Sequence, residues 1–152
     1  MNLILAMGKE LQHLPAIIAQ YEEDLQDAER NLSIKGKTLE TANVEHASWI
    51  SYYDQKRVEL STLLKYMERE VERVRGKLWQ QYTEKMSRDL NTRDKENYIN
   101  NEPAYLTKQE QFLTVSEIHG KFAALVEAFR SRGYALNNIV KLRTNAIENE
   151  II

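Results

Sequence analysis

An all-α fold is predicted by three features of the sequence. The 152 residues hold only 5 glycines and 2 prolines, too few for the many tight turns of an all-β domain. Apolar residues recur at steps of three and four rather than two. Between residues 38 and 90 no proline interrupts the chain and Gly76 is the only glycine, so one very long helix is permitted. The expected architecture is a long helical hairpin or coiled-coil-like rod with C-terminal helices, assembled as an oligomer. The length suits one domain, or one domain with an extended arm.

The first helix is expected near 15–33. Pro15 fits a first turn, where its missing N–H would be unpaired anyway, and Ile17, Ile18, Tyr21, Leu25, Ala28 and Leu32 follow at helical spacing. Gly36 marks a turn in the stretch 34–37. From Thr38 to about Leu90 a second helix of up to about 50 residues is expected, a rod of roughly 75–80 Å. Its seam is Ile50, Tyr53, Arg57, Leu60, Leu64, Met67, Val71, Val74, Leu78 and Gln81, a heptad pattern that needs a covering partner. Either other helices of the chain or a second subunit must cover it, and the length favours self-association.

Residues 91–105 are rich in Asn and charge, contain Pro103, lack periodicity and read as a loop. Thr107 and Glu110 have capping-box spacing, and Phe112, Val115, His119, Phe122, Leu125, Val126 and Phe129 trace an apolar face, so a third helix is expected over 108–131. Gly133 sits where a left-handed residue would stop it. Ala135, Ile139, Leu142 and Ala146 then make a short last helix, and Ile151 and Ile152 fray or dock. Three segments result: an acidic helix and turn (1–37), a long amphipathic helix with basic residues (38–96), and a C-terminal helical assembly region (97–152).

The net charge of -2, from 21 basic and 23 acidic side chains, excludes a uniformly basic nucleic-acid binder, so any attraction for phosphate has to be local. The absence of cysteine removes disulfides, thiolate metal sites and cysteine nucleophiles together, and fits a reducing compartment. The apolar run Leu3–Met7 is too short and lacks the basic flank of a signal peptide, and no stretch is long enough to span a bilayer. A cytoplasmic protein without a membrane partner is expected.

Catalytic signatures are missing. His13, His46 and His119 do not share a metal-ligand spacing; His119 reads as an interior or interface histidine, and His13 and His46 as surface residues. The five glycines are scattered, so no phosphate-cradling loop exists. The carboxylates of Glu22-Glu23-Asp24, Glu68-x-Glu70-x-Glu72 and Glu148-x-Glu150 belong to helical charge runs. No enzyme, metal or cofactor is expected.

One zone is basic: residues 73–95 hold seven basic groups (Arg73, Arg75, Lys77, Lys85, Arg88, Arg93, Lys95) against Glu84, Asp89 and Asp94. Lys65, Arg69, Arg73 and Lys77 recur every four residues, forming a stripe roughly opposite Met67, Val71, Val74 and Leu78. Like charges at this spacing cost about 0.2–0.5 kcal/mol per pair, a penalty that a phosphate backbone turns into attraction. The bland alternative is a solvated face neutralised by Glu68, Glu70 and Glu72. Trp79, Tyr82 and Tyr98 lie in or near the zone, either as stacking platforms for unpaired bases or as core. Repeated around a symmetric oligomer, the stripe becomes multivalent.

The segment Glu127-Ala128-Phe129-Arg130-Ser131-Arg132-Gly133-Tyr134-Ala135-Leu136, continuing through Ile139 to Leu142-Arg143, resembles the C-terminal region of the UvsY-like recombination mediators of T-even-like phages. Trp49-Ile50 resembles a Trp-Leu pair in that family's long helix. Arg75-Gly76-Lys77-Leu78 with Tyr82 resembles its Lys-x-Arg-Leu strand-binding segment, with Lys and Arg exchanged. The resemblance covers about residues 38–148 and is strongest at the C-terminal end. It implies a closed homo-oligomeric ring that binds single-stranded DNA and helps load a RecA-like phage recombinase onto DNA coated by single-strand-binding protein, without catalysis. Arg75 and Lys77 would contact phosphate, with Arg69 and Arg73 extending the contact; the Ser131-Arg132-Gly133 turn would be structural, with Gly133 supplying the helix stop, and Phe122, Leu125, Phe129, Tyr134 and Ile139 would build the assembly hub. Two rivals are a coiled-coil scaffold that binds no nucleic acid and a metal-dependent nuclease.

Overall fold

The computed structural model describes residues 13–85 and 89–150, with side chains to residue 146. The described residues form an all-α fold of four helices: α1 (Leu14–Leu32), α2 (Leu39–Glu84), α3 (Thr92–Asn100) and α4 (Pro103–Glu150). None of them is long and apolar enough to cross a membrane. The described residues divide into two compact units, one of residues 13–59 with 120–150 and one within 60–119.

α1 begins with Pro15 in its first turn, and the only positive φ among the described residues, 75° at Gly36, makes the turn after it. Glycine reaches that region without the steric cost a β-carbon would bring. Thr38 then starts α2, its Oγ1 accepting a hydrogen bond at 3.1 Å from the backbone N–H of Thr41, as a capping threonine does.

In the first unit the core is aromatic. Leu14, Tyr21 and Ala28, seven residues apart on α1, are buried with Ala42 and Tyr53 of α2 and Phe122, Val126, Phe129 and Leu136 of α4. The Tyr53 ring stacks on Phe129 (centroids 5.1 Å apart, 20° between planes), and Tyr21 meets Phe122 edge-on at 5.7 Å. Hydroxyls at the ends of these rings find partners, as buried phenols require. Tyr53 accepts from Asn31 at 2.9 Å, Tyr21 donates to Glu59 at 2.9 Å, and Tyr52 donates to Asp24 at 2.8 Å. Burial and the Asp24 carboxylate push the Tyr52 hydroxyl up to about 12. In the second unit Leu60, Leu63, Met67, Val71 and Leu78 of α2 are buried with Ile99 of α3 and Tyr105, Val115 and Ile118 of α4.

The seam therefore finds its cover inside each unit, and does not by itself require a second copy. Leu63 rather than Leu64 lies in the buried line, with Leu64 half-buried.

Two elements differ from expectation. The segment expected to be a loop contains α3. Asn91 caps it, its side chain accepting from the Asp94 N–H at 2.8 Å, and fully buried Ile99 anchors it. Nor does Gly133 end a helix. α4 starts at Pro103, ahead of Thr107 and Glu110, and runs unbroken past residue 133. The missing β-carbon serves close approach instead: one placed there would lie 2.7 Å from His46 Nε2. His46, expected at the surface, is half-buried and bonded to Arg132. His13 is exposed and His119 half-buried. Arg88, Leu3–Met7, Ile151 and Ile152 lie outside the described residues.

Gly133→Ala tests the approach. Overpacking costs about 1–3 kcal/mol, while alanine's helix preference over glycine returns about 1 kcal/mol, leaving an expected net loss of about 1 kcal/mol in denaturant unfolding. Combined with His46→Ala, the two losses should be less than additive, because the obstructing ring is gone. Strict additivity would place the strain elsewhere.

Candidate nucleic-acid interface

The second unit carries the residues that chemistry would assign to nucleic acid. Its α2 segment buries Leu63, Met67, Val71 and Leu78, so the opposite side is solvent-facing. Lys65, Arg69, Arg73 and Lys77 are all exposed there. Lys65, Arg69 and Lys77 have no carboxylate within ion-pair distance among the described residues. Arg73 is engaged: its Nε and Nη2 donate to the two carboxylate oxygens of Glu70 at 3.1 and 2.7 Å. That fork holds the Glu70 carboxyl below its ordinary range, with further pull from Lys108 and Lys77. Lys108, half-buried on α4, joins the cationic surroundings of Glu70 through the fold; nothing in the linear charge pattern announced it.

Arg75 does not belong to this stripe. Two residues from Lys77 is about 200° around a helix, and Arg75 is half-buried where Lys77 is exposed. The pair expected to act together therefore points to different sides of α2.

A second group of cations and rings gathers around Trp79, one helical turn from Arg75. Lys95 of α3 lies with Nζ 5.4 Å from the Trp79 ring centroid and donates to Thr83 Oγ1 at 3.1 Å. Tyr82 stacks on Tyr98 (5.6 Å, 18°) and donates its hydroxyl to Glu102; the bond to that carboxylate raises the Tyr82 pKa above its ordinary value. Trp79 and Tyr82 are half-buried, packed against Val71, Leu78, Ile99 and Tyr105, whereas Tyr98 is 51% exposed. One ring of the stack is thus fixed by the core and the other is open to solvent.

No family model, curated protein or solved structure matches this chain.

The residues expected at the turn and the assembly hub divide sharply. Phe122 and Phe129 are fully buried in the first unit, Leu125, Gly133 and Ile139 are half-buried, and Tyr134 is 73% exposed. Phe122 and Phe129 pack inside the first unit, against Tyr21 and Tyr53. Among the described residues no group of three or more His, Asp or Glu side chains is gathered as metal ligands would be.

Proposed function

We propose that this protein binds single-stranded DNA without sequence preference and acts as a recombination mediator in the cytoplasm, helping a RecA-like recombinase to displace single-strand-binding protein. The observation that carries the binding is the exposed line Lys65, Arg69, Arg73 and Lys77 on the side of α2 away from its buried residues. Residues 60–119 hold ten basic and ten acidic side chains, so arrangement and not net charge has to supply the attraction. The stripe takes phosphates, and exposed Tyr98 with Trp79 offers ring faces to unpaired bases. Stripe and rings lie on different sides of α2, so one strand that uses both must bend around the helix. A single strand bends easily, whereas a duplex, with a persistence length of about 150 base pairs, resists.

The mediator role and the closed ring rest on the resemblance of residues 127–143 to the UvsY-like family. Tyr134 and Leu142, exposed to 73% and 69%, lie in that segment and are open to contact with a second copy. Loading needs no catalysis: a protein that holds the strand in a form the recombinase binds better shifts the competition by that difference in affinity.

The test is a fluorescent oligonucleotide titrated at several salt concentrations, with mass measured in solution. Binding that weakens steeply with salt, by an oligomer, supports the reading; no binding at 20 mM salt leaves the scaffold, which the neutral balance of residues 60–119 favours. Intact DNA after incubation with magnesium or manganese would count against a nuclease. Glu70→Gln should release Arg73 from its carboxylate. One added phosphate contact on a single strand is worth about fivefold in affinity at 0.1 M salt, so unchanged affinity would show that Arg73 takes no part.

A further inference from the structure

Arg132 occupies a core position. Phe122, Val126, Phe129, Arg132 and Leu136 follow one another at steps of four, three, three and four, and all five are buried, Arg132 to 6% exposure. It is the one buried charged residue among those described. Its guanidinium lies over the Phe129 ring at 5.8 Å, and Nη1 donates to His46 Nδ1 at 3.1 Å. Burial and the neighbouring Arg132 charge hold His46 below its ordinary pKa, in keeping with a neutral, accepting imidazole. Arg132 Nε and Nη2, by contrast, are closed to solvent and have no hydrogen-bond partner among the described residues.

Those two donors are not a random remainder. Nε–H and Nη2–H project from the same edge of the guanidinium plane, and together they form the fork that accepts a carboxylate or phosphate through two parallel hydrogen bonds. Glu45, whose charge Arg132 senses, does not fill it. Lys37 holds that carboxylate at 2.5 Å. Leaving the fork empty is expensive, since a buried donor without an acceptor loses its hydration and gains nothing in return, the more so when the group is charged.

We infer that the free edge of Arg132 is a receptor for a small oxyanion, phosphate or carboxylate, bound side-on through Nε and Nη2. His46 and Phe129 orient the guanidinium from its other edge and its face, so the fork is preorganised. Because both donors are covered, the anion enters when α2 and α4 part locally in the first unit, and closure over it replaces two empty donors with two charge-assisted bonds. This inference is independent of the strand-binding reading, which uses residues 65–98.

The experiment is thermal unfolding of the full chain in sodium phosphate and, separately, sodium acetate from 1 to 50 mM, at ionic strength held constant with sodium chloride. For the wild type a rise of about 3–6 °C is expected at ten times the dissociation constant; Arg132→Met, which keeps the bulk and loses the fork, should show none. A rise with phosphate alone assigns the fork to phosphate, and a rise with both assigns it to oxyanions in general. A flat wild-type response, or an equal rise in the variant, overturns the inference. Should Arg132→Met not fold, the Nε–H resonances of the wild-type arginines decide: selective movement of the Arg132 signal on adding phosphate supports the receptor, and a stationary signal refutes it.

Discussion

Replacing Lys65, Arg69 and Lys77 together by alanine is expected to weaken binding of a single-stranded oligonucleotide about 500-fold at 50 mM salt and about 100-fold at 0.1 M. The estimate follows from counterion release. Each phosphate neutralised on a single strand contributes about 0.7 to the slope of log affinity against log salt, so three lost contacts flatten the slope by about 2. The three side chains are exposed and have no carboxylate within ion-pair distance among the described residues. Their removal also relieves i, i+4 repulsion within α2, so unfolding should be unchanged or slightly improved. Loss of affinity with an unchanged salt slope would mean that the variant harmed something other than phosphate contact. An unchanged affinity would dismiss the stripe. Arg75→Ala is the internal comparison. Standing on the Trp79 side, it should lower affinity while leaving the contribution of Lys77 intact, and the two effects should add, as they do for independent contacts.

The same geometry explains what was readable in the linear sequence. A period of four is a local property, so the stripe could be drawn from residue numbers alone. So could the turn at Gly36, because a glycine between two periodic segments is a specific conformational statement. Arg75 and Lys77 are neighbours in a motif but stand nearly opposite on a helix, so any contacts they make with a strand come from two sides of α2. α3 had one local signal, the cap by Asn91, and otherwise depends on Ile99 filling a core and on Lys95 reaching a tryptophan sixteen residues earlier. Those contacts become visible only after folding. Gly133 was misread because glycine serves two purposes, a left-handed stop and a close approach. Unbroken phase from Phe122 through Arg132 to Leu136 distinguishes them. His46, four residues after Ala42 and seven before Tyr53, holds the same core phase on α2, so buried Arg132 and half-buried His46 were both marked by position while their residue types suggested a surface.

Phe129→Ala is expected to cost about 3–5 kcal/mol, lowering the thermal midpoint by roughly 6–20 °C in a chain of this size. Phe129 is fully buried and stacked on Tyr53, and its other contacts include the Arg132 guanidinium. Truncation opens a cavity, removes the ring on which Tyr53 stacks, and strips the aromatic face from a cation that already lacks partners for two of its donors. Relaxation offers little relief, because Tyr53 is tethered through its hydroxyl to Asn31. Phe129→Leu, which keeps most of the volume, should cost a good deal less. Protein concentration separates the two places this ring has been assigned. A ring inside the protomer gives a midpoint shift independent of concentration, as the burial of Phe129 with Tyr53 demands. A ring at a subunit junction gives a loss that fades as concentration rises and reassociation compensates. Varying concentration a hundredfold during the same melts therefore decides whether the likeness of residues 127–136 to an assembly segment reflects contact between copies or the interior packing of one.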